Sequence, residues 1–190
     1  PNTQRNLLLA AAMGLLLGGG LVVLRERLDT HIRTPGDLRS LGHRVIGVVP
    51  SMQSLIDNQF GGEETIEIDG QTVDTSLVML SSPMSAAAES YRRLRANLRF
   101  ARPDADLRSF VVTSSEQGEG KTTTAANLGL AMASAGQNTI LVDADLRRPR
   151  IHSFFSLSRS PGLTDALFEE TLDPNALATD IDNLSVLPAG

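Results

Sequence analysis

The chain has 190 residues, no cysteine, one lysine among seventeen basic residues and a net charge of −5. That length holds one domain of moderate size with an appendage. The missing thiols exclude a disulfide framework and a thiolate metal site, and the acidic balance excludes a general attraction to nucleic acid, so local arginine clusters are judged separately.

The first element is apolar. Residues 7–24 are eighteen positions without a charge, about 27 Å as a helix, against roughly 30 Å of bilayer hydrocarbon. Arg25, Arg27 and Arg33 follow, and by the positive-inside rule they put the next segment in the cytoplasm. A signal peptide has its basic charge ahead of the apolar run, the opposite of this order. A buried core helix would show an amphipathic stripe, which is missing. The segment is expected to be a transmembrane helix, the last span of a longer protein.

Thr34-Pro35-Gly36-Asp37 predicts a helix start, with Thr34 as cap and Pro35 in the first turn, running to about Leu41. Residues 45–49 read as a short strand stopped by Pro50. Residues 57–76 hold six acidic residues and no basic one, which predicts a solvated, mobile linker. Within it a small hairpin is expected around Asp69-Gly70. From Glu89 a helix is predicted, with Tyr91, Leu94 and Leu98 as its buried stripe. Glu89, Arg92 and Arg95 recur at intervals of three, which suits a solvated charged face, a network with a neighbouring subunit or, less well for want of interleaved aromatics, RNA or lipid headgroups.

Residues 109–114 predict a short apolar strand, and 122–135 a helix ending at Gly136. Between them lies Ser115-Glu116-Gln117-Gly118-Glu119-Gly120-Lys121-Thr122. Strand, glycine-bearing loop and helix is the setting in which a P-loop binds phosphates. The helix start offers free N–H groups and the positive end of its dipole. The sequence uses arginine everywhere except Lys121, where a compact ammonium is required among phosphates. Gln117, Gly118, Glu119, Gly120, Lys121, Thr122 and Thr123 are the predicted nucleotide-binding residues. Lys121 is expected on the β- and γ-phosphates and the Thr122 hydroxyl on Mg²⁺. Ser115 stands where the usual pattern has its first glycine.

Thr139–Val142 reads as a buried parallel strand and ends in Asp143-Ala144-Asp145-Leu146-Arg147. Ligands in doubly wound sheets sit beyond the carboxyl ends of strands. Asp143 and Asp145 are therefore expected beside the P-loop, poised to hold Mg²⁺ and its waters or to take a proton from an attacking hydroxyl. The last eight residues predict a further strand reaching the same edge. The fold class expected is α/β, a partial P-loop NTPase-type parallel sheet with flanking helices behind an N-terminal transmembrane helix. The expected domains are 1–28 (span and flanks), 29–80 (cytoplasmic linker) and 81–190 (nucleotide-binding domain).

Together these residues resemble the bacterial tyrosine kinases of capsular and exopolysaccharide export, fused to a polysaccharide co-polymerase membrane domain. Gly118-Glu119-Gly120-Lys121-Thr122 is similar to their Walker A loop, and Asp143-Ala144-Asp145-Leu146-Arg147 to their Walker A′ motif. Glu89-x-x-Arg92-x-x-Arg95 is similar to the motif that assembles their ring. The span, Thr34-Pro35 and Gly47-Val48-Val49-Pro50 look like the last co-polymerase helix and its cytoplasmic exit. The resemblance implies an inner-membrane enzyme that transfers the γ-phosphoryl group of ATP to tyrosine with Mg²⁺, through Lys121, Asp143 and Asp145. The implied partners are further copies of itself and the polysaccharide polymerisation and export machinery; nucleic acid is not among them. It also implies that the family's Walker B strand and tyrosine cluster lie beyond Gly190, leaving Tyr91 as the one tyrosine, better suited to the core than to a substrate. Two other readings stand beside it. A partition or positioning ATPase of the ParA/MinD type shares the fold but carries a signature lysine where this chain has Glu116. A non-catalytic co-polymerase tail would only sense nucleotide.

Overall fold

The computed structural model describes residues 2–28, 34–68, 70–101, 108–169 and 179–190. Arg33 and Asp69, used above, lie outside them. The chain divides into two units, Pro1–Val45 and Ile46–Gly190.

In the first unit, helix α1 (Thr3–Leu28) runs 26 residues. Its leucines face outward on every side, Leu7 at 67% and Leu15 at 79% exposure. Within Thr3–Arg25 an 18-residue window has a mean hydropathy of 2.5 with none of it buried, and the helix is long and apolar enough to cross a membrane. In hydrocarbon such a helix needs no partner, because it satisfies its own backbone polar groups. Helix α2 (Pro35–Ser40) starts on the expected cap. Asp37 N–H donates to Thr34 Oγ1 at 3.4 Å, and Thr34 N–H donates to the Asp37 carboxylate at 2.8 Å. That reciprocal pair satisfies two N–H groups that a helix start otherwise leaves open.

The second unit departs at its start from the expected strand. No strand forms over 45–49. The Ile46 carbonyl instead accepts from Asn97 Nδ2 at 2.7 Å, and Gly47 packs on Leu94, where an added Cβ would come within 3.0 Å of Cδ1. β-like residues form a strand only where another strand takes their hydrogen bonds, and here the neighbour is a helix.

Residues 57–76 also differ from the expected linker. Helix α3 (Gln53–Phe60) is followed by β1 (Thr65–Ile68) and β2 (Gln71–Asp74). The two strands are antiparallel, with Ile68 opposite Gln71, so the hairpin does turn at the predicted place. Helix α4 (Val78–Ser81) comes next, and Leu77 and Val78 are fully buried. The buried Thr75 hydroxyl donates to the Glu63 and Glu64 carbonyls at 2.8 and 3.0 Å. Acidic residues dominate the composition, but Ile66 and Ile68 alternate with exposed positions and half-bury one face of β1. Alternation, more than net charge, decides the local structure.

Helix α5 (Ala86–Ala101) begins three residues before Glu89, where Ser85 Oγ accepts from Ala88 N–H at 3.1 Å. Tyr91 is buried at 1% exposure, and Leu94 and Leu98 are half-buried. Helix α6 (Lys121–Ala133) lies at the centre of the unit, every residue from 126 to 131 buried. Beside it β3 (Thr139–Val142) pairs in parallel with β4 (Leu184–Leu187), Thr139 opposite Leu184 and Val142 opposite Leu187. The predicted strand over 109–114 is absent. Phe110 and Val111 are exposed at 41% and 90%, and no strand among the described residues pairs with that segment. Two short helices, α7 (Ile151–Phe154) and α8 (Leu163–Glu169), complete the unit. The core joins Leu77, Tyr91, Leu130, Leu141, Phe154 and Val186.

Candidate functional site

The loop before α6 is held open by its glycines. Gly118 and Gly120 take φ of 86° and 80°, a left-handed conformation that costs other residues, and nothing lies within 4 Å of where a Cβ would stand on either. Gly120 is the N-cap and supplies no side-chain bond. The first-turn N–H groups of α6 thus meet no capping side chain, and the helix dipole adds its positive end there. Gln117 is exposed in the loop, and Thr122 and Thr123 are half-buried in the first turn. Such a cradle fits a polyphosphate.

Ser115 and Glu119 brace the loop. The Ser115 hydroxyl lies 3.1 Å from both Glu119 carboxylate oxygens, and Glu116 N–H donates to the same carboxylate at 3.1 Å. The Glu116 N–H first, and then the Ser115 hydroxyl, hold the Glu119 carboxyl below its ordinary range. The serine at the missing-glycine position is therefore part of the loop's internal bonding. The signal for it in the sequence was a hydroxyl and a carboxylate four apart across a glycine-bearing turn.

The two aspartates after β3 separate in role. Lys121 Nζ sits 2.9 Å from Asp145 Oδ2. That bond, with Arg148 N–H next in weight, keeps the Asp145 carboxyl below the usual carboxylate range. Asp143 is buried at 3% exposure. Its Oδ1 accepts from Asp145 N–H at 3.2 Å, and its Oδ2 from Arg150 and Ile151 N–H at 3.0 Å each. A carboxylate has about four acceptor directions, and three of these are taken by the loop's own backbone. Asp145 is thus in direct contact with the lysine, while Asp143 anchors the loop beneath it.

Two buried side chains support the first turn of α6 and were not singled out as site residues from the sequence. Asn127 is fully buried. It accepts from Met79 N–H at 3.1 Å and donates to the Ser76 and Thr123 carbonyls at 2.9 and 3.0 Å. An Asn inside an apolar helix pattern was the available signal, since a buried amide must find partners. Burial raises the Tyr91 phenol above its ordinary pKa, opposed by a hydrogen bond with the Thr124 side chain.

The predicted assembly residues lie along α5, with Arg92 and Arg95 half-buried. Glu89 pairs with Arg92 at 3.5 Å and with Arg93 at 3.2 Å. Arg92 also donates to the Pro83 carbonyl at 2.6 Å, and Arg95 to the Ala131 carbonyl of α6. Among the described residues no cluster of three or more His, Cys, Asp or Glu could enclose a metal. The donors present near Lys121 are the oxygens of Thr122, Asp143 and Asp145, a hard, sparse set that suits Mg²⁺, which keeps waters and takes its other oxygens from phosphate.

Comparison with known proteins gives a consistent picture. The CobQ/CobB/MinD/ParA nucleotide binding domain family matches residues 110–162. The tyrosine-protein kinase YwqD of Bacillus subtilis is 38% identical over 122 residues, covering 64% of this chain and 52% of that protein. The succinoglycan biosynthesis transport protein ExoP of Rhizobium meliloti is 28% identical across the whole of this chain and 26% of its own length. The solved BceF tyrosine kinase domain superposes with a TM-score of 0.65 at 31% identity, over 84% of this chain and 62% of that one. The chain therefore spans about half of the first of these relatives and a quarter of the second. The architecture is that of an α/β P-loop nucleotide-binding domain behind a long apolar helix.

Proposed function

We propose a function from one premise: the chain belongs to the bacterial tyrosine kinase family. The full-length protein transfers the γ-phosphoryl group of ATP to tyrosyl hydroxyls, and in doing so regulates polymerisation and export of a capsular polysaccharide or exopolysaccharide. The observation that carries this reading is the Lys121 ammonium held at 2.9 Å by Asp145 at the open start of α6.

In this mechanism the free N–H groups of α6 and the Gly118–Gly120 backbone receive the phosphates. Lys121 exchanges its carboxylate partner for phosphate oxygens, where its charge offsets the charge of the transferring group. Asp145, released from the ammonium, accepts the tyrosyl proton as the tyrosyl oxygen bonds to the γ-phosphorus and the bond to the β-phosphate oxygen breaks. Thr122 and Asp143 would hold Mg²⁺, which when bound supplies further charge neutralisation at the phosphates. The remaining parts of the proposal are a ring of subunits assembled through Glu89, Arg92 and Arg95, membrane attachment through α1 and a cytoplasmic catalytic unit. The arginines that follow the span and the ExoP-like length of the match support the last two.

The test uses the full-length protein with ATP and magnesium. Phosphotyrosine that forms with the wild type and is absent with Lys121→Met upholds the kinase. ATP hydrolysis without phosphotyrosine would instead favour the ParA/MinD type, a reading disfavoured by Glu116 at the signature lysine position. Nucleotide binding with neither activity would leave a sensing tail. Sedimentation of Arg92→Ala with Arg95→Ala tests the ring, and an unchanged size rejects the interface.

A further inference from the structure

The loop after β3 carries three guanidinium groups within four residues, Arg147, Arg148 and Arg150. Its backbone is wound on the two aspartates: Arg148 N–H donates to Asp145 at 3.1 Å, and Arg150 N–H to Asp143 at 3.0 Å. These bonds fix the loop from inside and leave the arginines exposed. Among the described residues none of the three is paired with a carboxylate. Arg150 lies 5.7 Å from the ring centre of Phe154, which further orders its guanidinium. Of the neighbouring acids, Asp145 is matched by Lys121, and the one buried carboxylate of Asp143 offsets only part of this charge. A net positive rim of three exposed guanidinium groups therefore borders the lysine site of a chain whose net charge is −5.

We infer that this rim docks an acidic protein segment, so that the acceptor tyrosine is one flanked by glutamates or aspartates. The inference rests on the kinase reading and names its substrate class. Guanidinium forks match carboxylates two bonds at a time, and a positive rim raises the encounter rate of a negative segment. A rigid loop loses little conformational freedom on engaging it. The phosphates have their own cation in Lys121 and their own amides in α6. A nucleic-acid strand would call for aromatic platforms between the charges, and residues 143–150 contain no aromatic side chain.

The experiment uses the full-length protein, with wild type and Arg148→Gln/Arg150→Gln side by side. The acceptors are a random glutamate–tyrosine copolymer and a neutral alanine-flanked tyrosine peptide. In wild type the copolymer is expected to have a KM about tenfold lower than the neutral peptide, a gap that narrows with salt. In the variant the gap closes through the copolymer's KM, while kcat on the neutral peptide stays level. A gap of equal size in both proteins, or no gap in wild type, overturns the inference. Absence of phosphotyrosine on either acceptor sinks the kinase reading instead. Fluorescence anisotropy of labelled copolymer, which needs no transfer, then judges the rim alone: binding weakened in the variant supports it, and equal binding overturns it.

Discussion

Helices α1 and α6 are both rich in leucine, alanine and glycine, yet they are surrounded by different things. In α1 Leu15 and Leu16 stand 79% and 77% exposed, while in α6 Leu128 and Leu130 are at 2% and 3%. Apolarity says that a side chain leaves water, and it does not say where the side chain goes. Length and ends make the distinction. α1 runs 26 residues with arginines in its last turn, whereas α6 runs 13 and opens on Lys121 and three threonines. The first matches the thickness of a bilayer and the second the width of a domain. Only the second has a polar mouth at which chemistry can take place.

The sharpest break in this comparison is at that mouth. Lys121→Met is expected to weaken ATP binding about a hundredfold, on the order of 2.7 kcal/mol, while the melting temperature stays within a degree or two of wild type; isothermal calorimetry and circular dichroism measure the two. Next comes a matched pair of leucines. Leu130→Ala should cost about 3 kcal/mol of stability, and Leu16→Ala, the same chemical change in α1, should leave the unfolding of the second unit untouched. Urea titration followed by fluorescence of the single tyrosine, Tyr91, reads that unit directly. Equal losses would mean that α1 depends on packing within the protein, and the contrast drawn above would fail.

Within α6, Asn127→Ala strands the buried Met79 N–H and removes the donor to the Ser76 and Thr123 carbonyls, a loss of about 2 kcal/mol that the same titration would register. Tyr91→Phe should remove roughly 1 kcal/mol in thermal melts and leave the phosphotyrosine content of the full-length protein unchanged; a fall in that content would make Tyr91 an acceptor. The smallest effect is electrostatic. The Asp145 carboxyl is depressed in the folded chain, so its stabilisation is complete above its unfolded pKa of about 3.9. That stabilisation is lost as pH falls through the lower folded value. Asp145→Asn should flatten this part of the acid unfolding curve, with its small loss of stability seen at neutral pH and gone below the folded pKa.

Several elements were legible in the sequence because each rests on local chemistry. Thr34 and Asp37 make a cap with groups three residues apart, and β3 is a compact apolar run ending in Asp143. The P-loop is read from two glycines and a lysine, and those residues do form an open cradle. The strand expected over 109–114 failed because pairing is a property of two segments, and no composition within one segment guarantees the other. The linker expected over 57–76 failed because charge was counted and alternation was not. At the site, the division of labour between Asp143 and Asp145 was out of reach. Both are aspartates at a strand end, and only the path of the chain to Ile151 decides which one its amides enclose. Asn127 was hidden for a related reason, since two of its three partners, Met79 and Ser76, lie 48 and 51 residues away in the chain.

Arg95 donates to the carbonyl of Ala131 near the end of α6, and its guanidinium has further N–H groups to offer. If a neighbouring subunit grips those remaining donors, the pull arrives on the rod whose other tip is the proposed nucleotide site. Assembly and occupancy would then be coupled through one rigid body, and the coupling must run both ways: by whatever factor joining subunits tightens the grip on ATP, ATP tightens the joining of subunits.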